Sequence, residues 1–244
     1  MNKTKSIVKL VISIALAFTF SCSSGGDDNG GGKANTFKDD RDGKSYKWVE
    51  IGYQIWMAEN LNYRGIEPDT LGRCYYNDPT YCKTYGRLYN WTTAMVLDAI
   101  CDHTTCDSQI NANHKGICPS GWHIPSNEEW DKLLRYVDGT SEAESPYSSP
   151  TAGKFLKATS GWNDHNGKSG NGNDKFGFFA LPGGLGNSGV SFAQAGKFGY
   201  WWSTSEYNSE DAYDLDMAYT TEDVYYSTVF GKNSLFSVRC VKDN

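Results

Sequence analysis

The side chains with the most chemistry to offer are the seven cysteines. Cys22 directly follows Thr19-Phe20-Ser21, at the end of an apolar run over residues 10–20, and Lys3, Lys5 and Lys9 precede that run. A positive segment, an apolar stretch too short to span a bilayer and a small residue before a cysteine form the pattern of a bacterial lipoprotein signal. On this reading the Cys22 thiol is lipidated and residues 1–21 are removed. Thr19 departs from the leucine usual at its position. The other six are Cys74, Cys82, Cys101, Cys106, Cys118 and Cys240. In an exported chain an even set reads first as disulfides. Nearness in sequence pairs Cys74 with Cys82 and Cys101 with Cys106, which leaves Cys118 for Cys240. The competing arrangement is a zinc site from Cys101, His103, Cys106 and His114, which an oxidising compartment disfavours.

Oxygen-bearing side chains crowd one loop: Asn163, Asp164, Asn166, Asn171, Asn173 and Asp174. They are hard ligands of the kind calcium takes, so this is a candidate structural calcium loop; the alternative is a run of Asx turns. Trp130, Trp201 and Trp202 are candidates for a sugar-stacking platform. Trp130, however, belongs to a helical apolar stripe. Successive Trp201 and Trp202 must point to opposite faces of a strand, so at most one lies in the main core and the other is free to face outward. Asp214 and Asp216 share one strand face and read as surface carboxylates, whereas glycoside hydrolysis needs two carboxyls across a cleft. Gly184-Leu185-Gly186-Asn187-Ser188-Gly189 has dinucleotide-loop spacing but no helix after it, and reads as a loop. Zincin and nucleophile-elbow motifs are absent from the sequence.

The elements that must position these groups follow from periodicity. Residues 46–51 and 54–58 predict a β-hairpin turning at Gly52-Tyr53. Residues 64–83 read as loop, 88–99 as a helix with Trp91 and Met95 on one face, and 101–116 as a second stapled loop. The clearest element is a helix over 126–137. Ser126 and Glu129 make a capping box, Trp130, Leu133, Leu134 and Val137 form one stripe, and Gly139 stops it. A short helix is expected at 152–158. Strands are expected at 177–181, 189–193, 200–203, 212–217, 223–228 and 234–241. Helices early and strands late predict an α+β fold with a mixed, mostly antiparallel sheet.

Charge narrows the function. The chain carries 23 Lys and Arg against 29 Asp and Glu, a net of −6, and loss of the three leader lysines would take it to −9. That balance argues against nucleic acid and against a polybasic membrane patch, leaving a lipid on Cys22 as the means of membrane attachment. The eight Trp and sixteen Tyr imply a core of large flat side chains with polar handles.

Six motifs then occur in order: Tyr53-Gln54-Ile55-Trp56-Met57-Ala58-Glu59-Asn60-Leu61-Asn62-Tyr63; Gly86-Arg87-Leu88-Tyr89-Asn90-Trp91; Gly116-Ile117-Cys118-Pro119-Ser120-Gly121-Trp122-His123-Ile124-Pro125-Ser126, running to Glu129-Trp130; Gly177-Phe178-Phe179-Ala180-Leu181-Pro182-Gly183-Gly184; Tyr200-Trp201-Trp202-Ser203; and Ser237-Val238-Arg239-Cys240-Val241-Lys242-Asp243. Together they resemble the major paralogous domain of Fibrobacter succinogenes, over about residues 38 to 243. The stretch from His123 to Trp130, with the closing Ser237-Val238-Arg239, is similar to the C-type lectin-like superfamily and its sulfatase-modifying branch. The resemblance implies a looped, twisted sheet that brings N- and C-terminal strands together. The sulfatase-modifying branch uses a cysteine pair in its C-terminal half, where this chain has only Cys240.

The expected organisation is a signal peptide over 1–21, a flexible Ser/Gly/Asp tether over 22–37 and a C-type lectin-like domain over 38–244. The expected function is a lipoprotein in the outer membrane, at the cell surface or facing the periplasm, whose non-enzymatic module binds a polysaccharide, a cell-wall component or a surface protein. The alternatives are a sulfatase-modifying-type enzyme or diverged hydrolase, and a structural envelope protein. Recognition is expected on loops 161–174 and 183–199 rather than on the helix at 126–137.

Overall fold

The computed structural model describes residues 35–66, 71–140, 148–188, 191–228 and 230–243. Cys22, the expected leader and most of the expected tether lie outside these residues. The first elements are β1 (Asn35–Lys38), β2 (Ser45–Ile51) and β3 (Gln54–Met57), an antiparallel meander containing the expected hairpin. There follow α1 (Pro79–Tyr85), β4 (Leu88–Tyr89), α2 (Trp91–Met95), β5 (Trp122–His123), α3 (Asn127–Asp138), β6 (Ser148–Ser149) and α4 (Ala152–Leu156). The C-terminal part is β7 (Leu185–Asn187), β8 (Phe192–Ala193), β9 (Phe198–Glu206), β10 (Ala212–Ala218), β11 (Val224–Ser227), β12 (Ser234–Ser237) and β13 (Val241–Lys242). The architecture is α+β.

The smaller sheet has the order β1-β2-β3-β13-β5, so the C-terminal strand is inserted between the N-terminal hairpin and β5. The larger runs β6-β11-β10-β9-β12-β7-β8, with β4 beside β12. Its pairings are antiparallel except β9 with β12. All three expected disulfides are present: Cys74–Cys82, Cys101–Cys106 and Cys118–Cys240. The zinc alternative is therefore replaced by a covalent bond. His114 instead bonds the Met95 carbonyl at 2.8 Å, and His103 meets Glu210 at the surface.

The large sheet is covered on both faces. Trp201 packs with Trp56, Trp130 and Phe178, while Trp202 packs in a second core with Trp91, Tyr89 and Phe236. Trp130, Trp201 and Trp202 are each 0 % exposed. This corrects the expectation that one of Trp201 and Trp202 is free to face outward: alternation does put them on opposite faces, but neither ring meets water. Their handles are also occupied. Trp201 Nε1 donates to Asn60 Oδ1 at 2.8 Å and Trp202 Nε1 to the Tyr89 carbonyl at 2.7 Å.

Several boundaries differ from the sequence reading. Helix α1 lies in the expected loop, started by the Asp78 side chain accepting from Thr80 N with Pro79 in the first turn. The expected helix over 88–99 shrinks to α2, because Leu88 and Tyr89 pair with β12 and Val96 turns left-handed. Residues 177–181 form no strand: Phe179 has φ +56, which breaks the extended run. The Gly184–Gly189 pattern contains the short strand β7 rather than a continuous loop.

Candidate functional site

The motifs scattered along the chain meet at Asn60. Its Oδ1 accepts from Arg239 Nη2 at 2.6 Å, Arg239 Nε at 3.0 Å and Trp201 Nε1 at 2.8 Å. Its Nδ2 donates to the Tyr85 carbonyl and to Ser237 Oγ. Arg239 is 1 % exposed and also donates to the carbonyls of Met57 and Phe178. Burial pushes the guanidinium down to about 9, which leaves it charged at neutral pH. A buried cation satisfied by one amide and several carbonyls fixes backbone; it has no proton to give near pH 7.

A cleft of about 520 Å³ opens above this hub. One wall is the end of α1 with Tyr85; another is the loop bearing Ser160, Phe179 and Leu181; the third is Lys44, Glu59 and Asn62 around the hairpin. Phe179 is 38 % exposed although it is a large apolar ring, and it is held there with a positive φ. Asp174 Oδ1 fixes that conformation by accepting from Phe179 N at 2.7 Å. A non-glycine residue kept in the left-handed region marks a place where the surroundings over-determine the backbone. The polar wall is equally tied down. Glu59 accepts from Lys47 N, Asn62 donates to the Cys82 carbonyl, and Lys44 Nζ donates to the Asn62 carbonyl. The result is a preorganised cleft lined by three aromatic rings, Tyr46, Tyr85 and Phe179, with the Glu59 carboxylate, the Asn60 and Asn62 amides and the Lys44 and Lys83 ammonium groups.

The predicted calcium loop is spread over several local bonds. Asn171 Oδ1 accepts from Trp162 N, Asn173 Oδ1 from Lys175 N, and Asp174 Oδ1 from Phe179 N. Asn166 meets His165, and Asn163 lies against Gly196, to whose carbonyl its own N–H donates. Asp164 is exposed. At least three of the six candidate ligands thus have an oxygen bonded to a backbone N–H, Asn173 in an Asx turn and Asn171 and Asp174 to residues farther away in the chain. What the loop does supply is Asp174, which sets the Phe179 wall of the cleft.

Two other titratable groupings differ from what the sequence showed, one in its partners and one in its burial. His123, 2 % exposed, is clamped between Glu129 Oε1 on Nε2 at 2.7 Å and Asp243 Oδ1 on Nδ1 at 2.6 Å. Only the doubly protonated ring can donate both bonds. Burial works against that charge, but the bonds to Glu129 and Asp243 outweigh it and raise the pKa above its ordinary value of 6.5. The second grouping is Asp214 with Asp216. Far from being surface carboxylates, Asp214 is 0 % exposed and Asp216 half-buried. Alternation places both on one face but does not say that the face is roofed.

A model of the Fibrobacter succinogenes major domain matches residues 49–242. No curated protein and no solved structure matches the chain. The span covers the hairpin's second half, the Asn60 hub, the cleft walls from Glu59 to Arg239 and the C-terminal strand. The chain belongs to the Fibrobacter succinogenes major domain family.

Proposed function

We propose that this chain is an exported, lipid-anchored binding module of C-type lectin-like fold, held at the outer membrane or cell surface by Cys22, and that it binds a polysaccharide in the cleft between Tyr85 and Phe179. The fold reading is supported by the return of β13 into the N-terminal sheet and by the Cys118–Cys240 staple beside it. The observation that carries the ligand reading is Phe179, an exposed ring locked in a strained conformation on the wall of a cleft also lined by Tyr85, Glu59 and Asn62. Flat apolar rings flanked by fixed donors and acceptors suit sugar faces and hydroxyls. A sulfatase-modifying thiol chemistry has less support, because Cys74, Cys82, Cys101, Cys106, Cys118 and Cys240 are all in disulfides.

The test is a screen of the full-length protein against arrayed plant and bacterial polysaccharides, followed by titration of the best ligand. Phe179→Ala and Tyr85→Ala should each weaken binding by about 10- to 30-fold, the scale of losing an aromatic anchor, with folding retained. A ligand bound equally by both variants would move the site elsewhere. Labelled fatty acid should enter the wild type and not Cys22→Ala; no label in the wild type would remove the anchor.

A further inference from the structure

Asp214 lies inside β10 with no surface exposed and with neither carboxylate oxygen hydrogen-bonded. It stands opposite Trp202 on β9 and opposite Ser227 on β11. Trp202 packs on Phe236, which stacks in turn on Tyr200, so the wall on this side is aromatic. Three titratable groups share the face: Asp216 two residues on along β10, Tyr200 opposite it on β9 and Tyr225 opposite it on β11. None of the three brings a positive charge, and no lysine, arginine or donor acts to keep either carboxyl ionised. Among the described residues no third carboxylate, histidine or cysteine joins the pair to make a metal-ligating group. An ionised Asp214 would be a buried charge with neither donor nor counterion. That costs far more than a neutral acid in the same place, so such a group keeps its proton. Burial, with the neighbouring Asp216, drives Asp214 well above its ordinary value of 3.8, and burial takes the half-buried Asp216 to about 6.

We propose that Asp214 is a proton lock on β10: the folded sheet holds it as a neutral carboxylic acid, and the cost of ionising it there ties the seating of β10 to pH. The unfolded chain gives up this proton near pH 3.8, whereas the folded chain keeps it to well above that. Below 3.8 both states are protonated, and pH has no effect through this group. Above 3.8 unfolding releases a proton, so stability falls as pH rises until the folded value is passed. Asp216 adds a second step of the same sign between 3.8 and about 6. β10 cannot swing away to relieve the cost, because it is an inner strand between β9 and β11 and sets Leu215 and Met217 into the core on its other face. Acidification from neutral pH toward pH 4 tightens this part of the sheet.

The experiment is urea unfolding of the full-length protein between pH 4 and pH 7. The unfolding equilibrium constant of the wild type, divided by that of Asp214→Asn, should rise about tenfold per pH unit across the whole range, about 1.4 kcal/mol per unit. The same ratio taken against Asp216→Asn should rise from pH 4 and level off near pH 6. A ratio to Asp214→Asn that does not change with pH would overturn the lock, because folded Asp214 would then be ionised throughout. The wild type also gives a reading that needs no variant, so a misfolded Asp214→Asn does not remove the test. Its infrared spectrum at pH 7 should hold a protonated-carboxyl band that shifts on deuterium exchange. Absence of that band would overturn the proposal, as would a band kept undiminished in folded Asp214→Asn.

Discussion

His123 shows how one side chain converts pH into stability. Its ring joins Glu129, in the first turn of α3, to Asp243, just beyond β13. Because its folded pKa is raised above 6.5, its contribution is fully present below that value and is lost as pH rises through the folded pKa. Glu129 behaves in the opposite way. Burial alone would raise its pKa, but the His123 and Ser126 bonds bring it below 4.5, so its contribution is present above 4.5 and lost as pH falls through the lowered value. The clamp is therefore strongest from about pH 5 to 6.5 and weakens into the alkaline range. The melting temperature of the wild type should decline from pH 6 to pH 9 more steeply than that of His123→Gln, which has no second ring donor to lose; parallel slopes would show that the clamp does not titrate in this window. Asn60 is the other residue with effects beyond its size. Asn60→Ala would strip the acceptor from two Arg239 donors and from Trp201 Nε1. Bonds to a charged group contribute about 1.5–3 kcal/mol each, so a loss of at least 3 kcal/mol in urea unfolding is expected. A loss under 1 kcal/mol would mean that the hub relaxes onto other acceptors.

Among the elements, those whose signals are local were legible and those set by distant partners were not. Helix α3 carries its own instructions: the Ser126–Glu129 capping box, the Trp130-Leu133-Leu134-Val137 stripe and a left-handed Gly139. Ser126→Ala should accordingly cost about 1 kcal/mol in chemical denaturation, and an unchanged midpoint would mean that the Glu129–His123 bond alone holds the helix start. Helix α1 has a comparable signal, Asp78-Pro79 at its start, but lies in a segment whose glycine, proline and cysteine content suggests a loop. Residues 177–181 look extended because Phe178, Phe179, Ala180 and Leu181 are apolar, yet Phe179 is turned outward by an aspartate five residues away. On β9 and β10, alternation correctly divided Trp201 from Trp202 and put Asp214 beside Asp216. It could not reveal that both faces are covered, because that depends on cores assembled from residues as far apart as Tyr46 and Val241. The cleft was hidden for the same reason: Glu59, Tyr85, Phe179 and Arg239 become neighbours only after the C-terminal strand returns.

At the scale of the whole molecule, that return is the critical step, and three devices hold it. β13 sits between β3 and β5, Arg239 reaches back to Asn60, and Cys240 is bonded to Cys118. The disulfides should therefore differ in worth. On the chain-entropy model, closing a separation of 122 residues contributes about 5 kcal/mol, whereas separations of 8 and 5 contribute about 2–2.5 kcal/mol each. The Cys101–Cys106 loop also has a local network. Lys232, 0 % exposed, donates to the carbonyls of Cys101 and Thr104 and pairs with Glu206, which itself accepts from the N–H groups of Cys106 and Asp107. This network should hold the Cys101–Cys106 loop in place when the sulfur bridge is removed. The Cys118–Cys240 bond differs in the length of chain it closes, and it acts on the same return that β13 pairing and the Arg239–Asn60 bonds hold. Paired alanine replacement of Cys118 and Cys240 should lower the urea-unfolding free energy by about 5 kcal/mol, at least twice the loss from either short bridge. It should also weaken the proposed polysaccharide binding, since Arg239 lines the cleft and lies next to Cys240 in sequence. If the Cys74–Cys82 variant proved as damaging, the molecule would depend on its α1 loop rather than on the seating of its C-terminal strand.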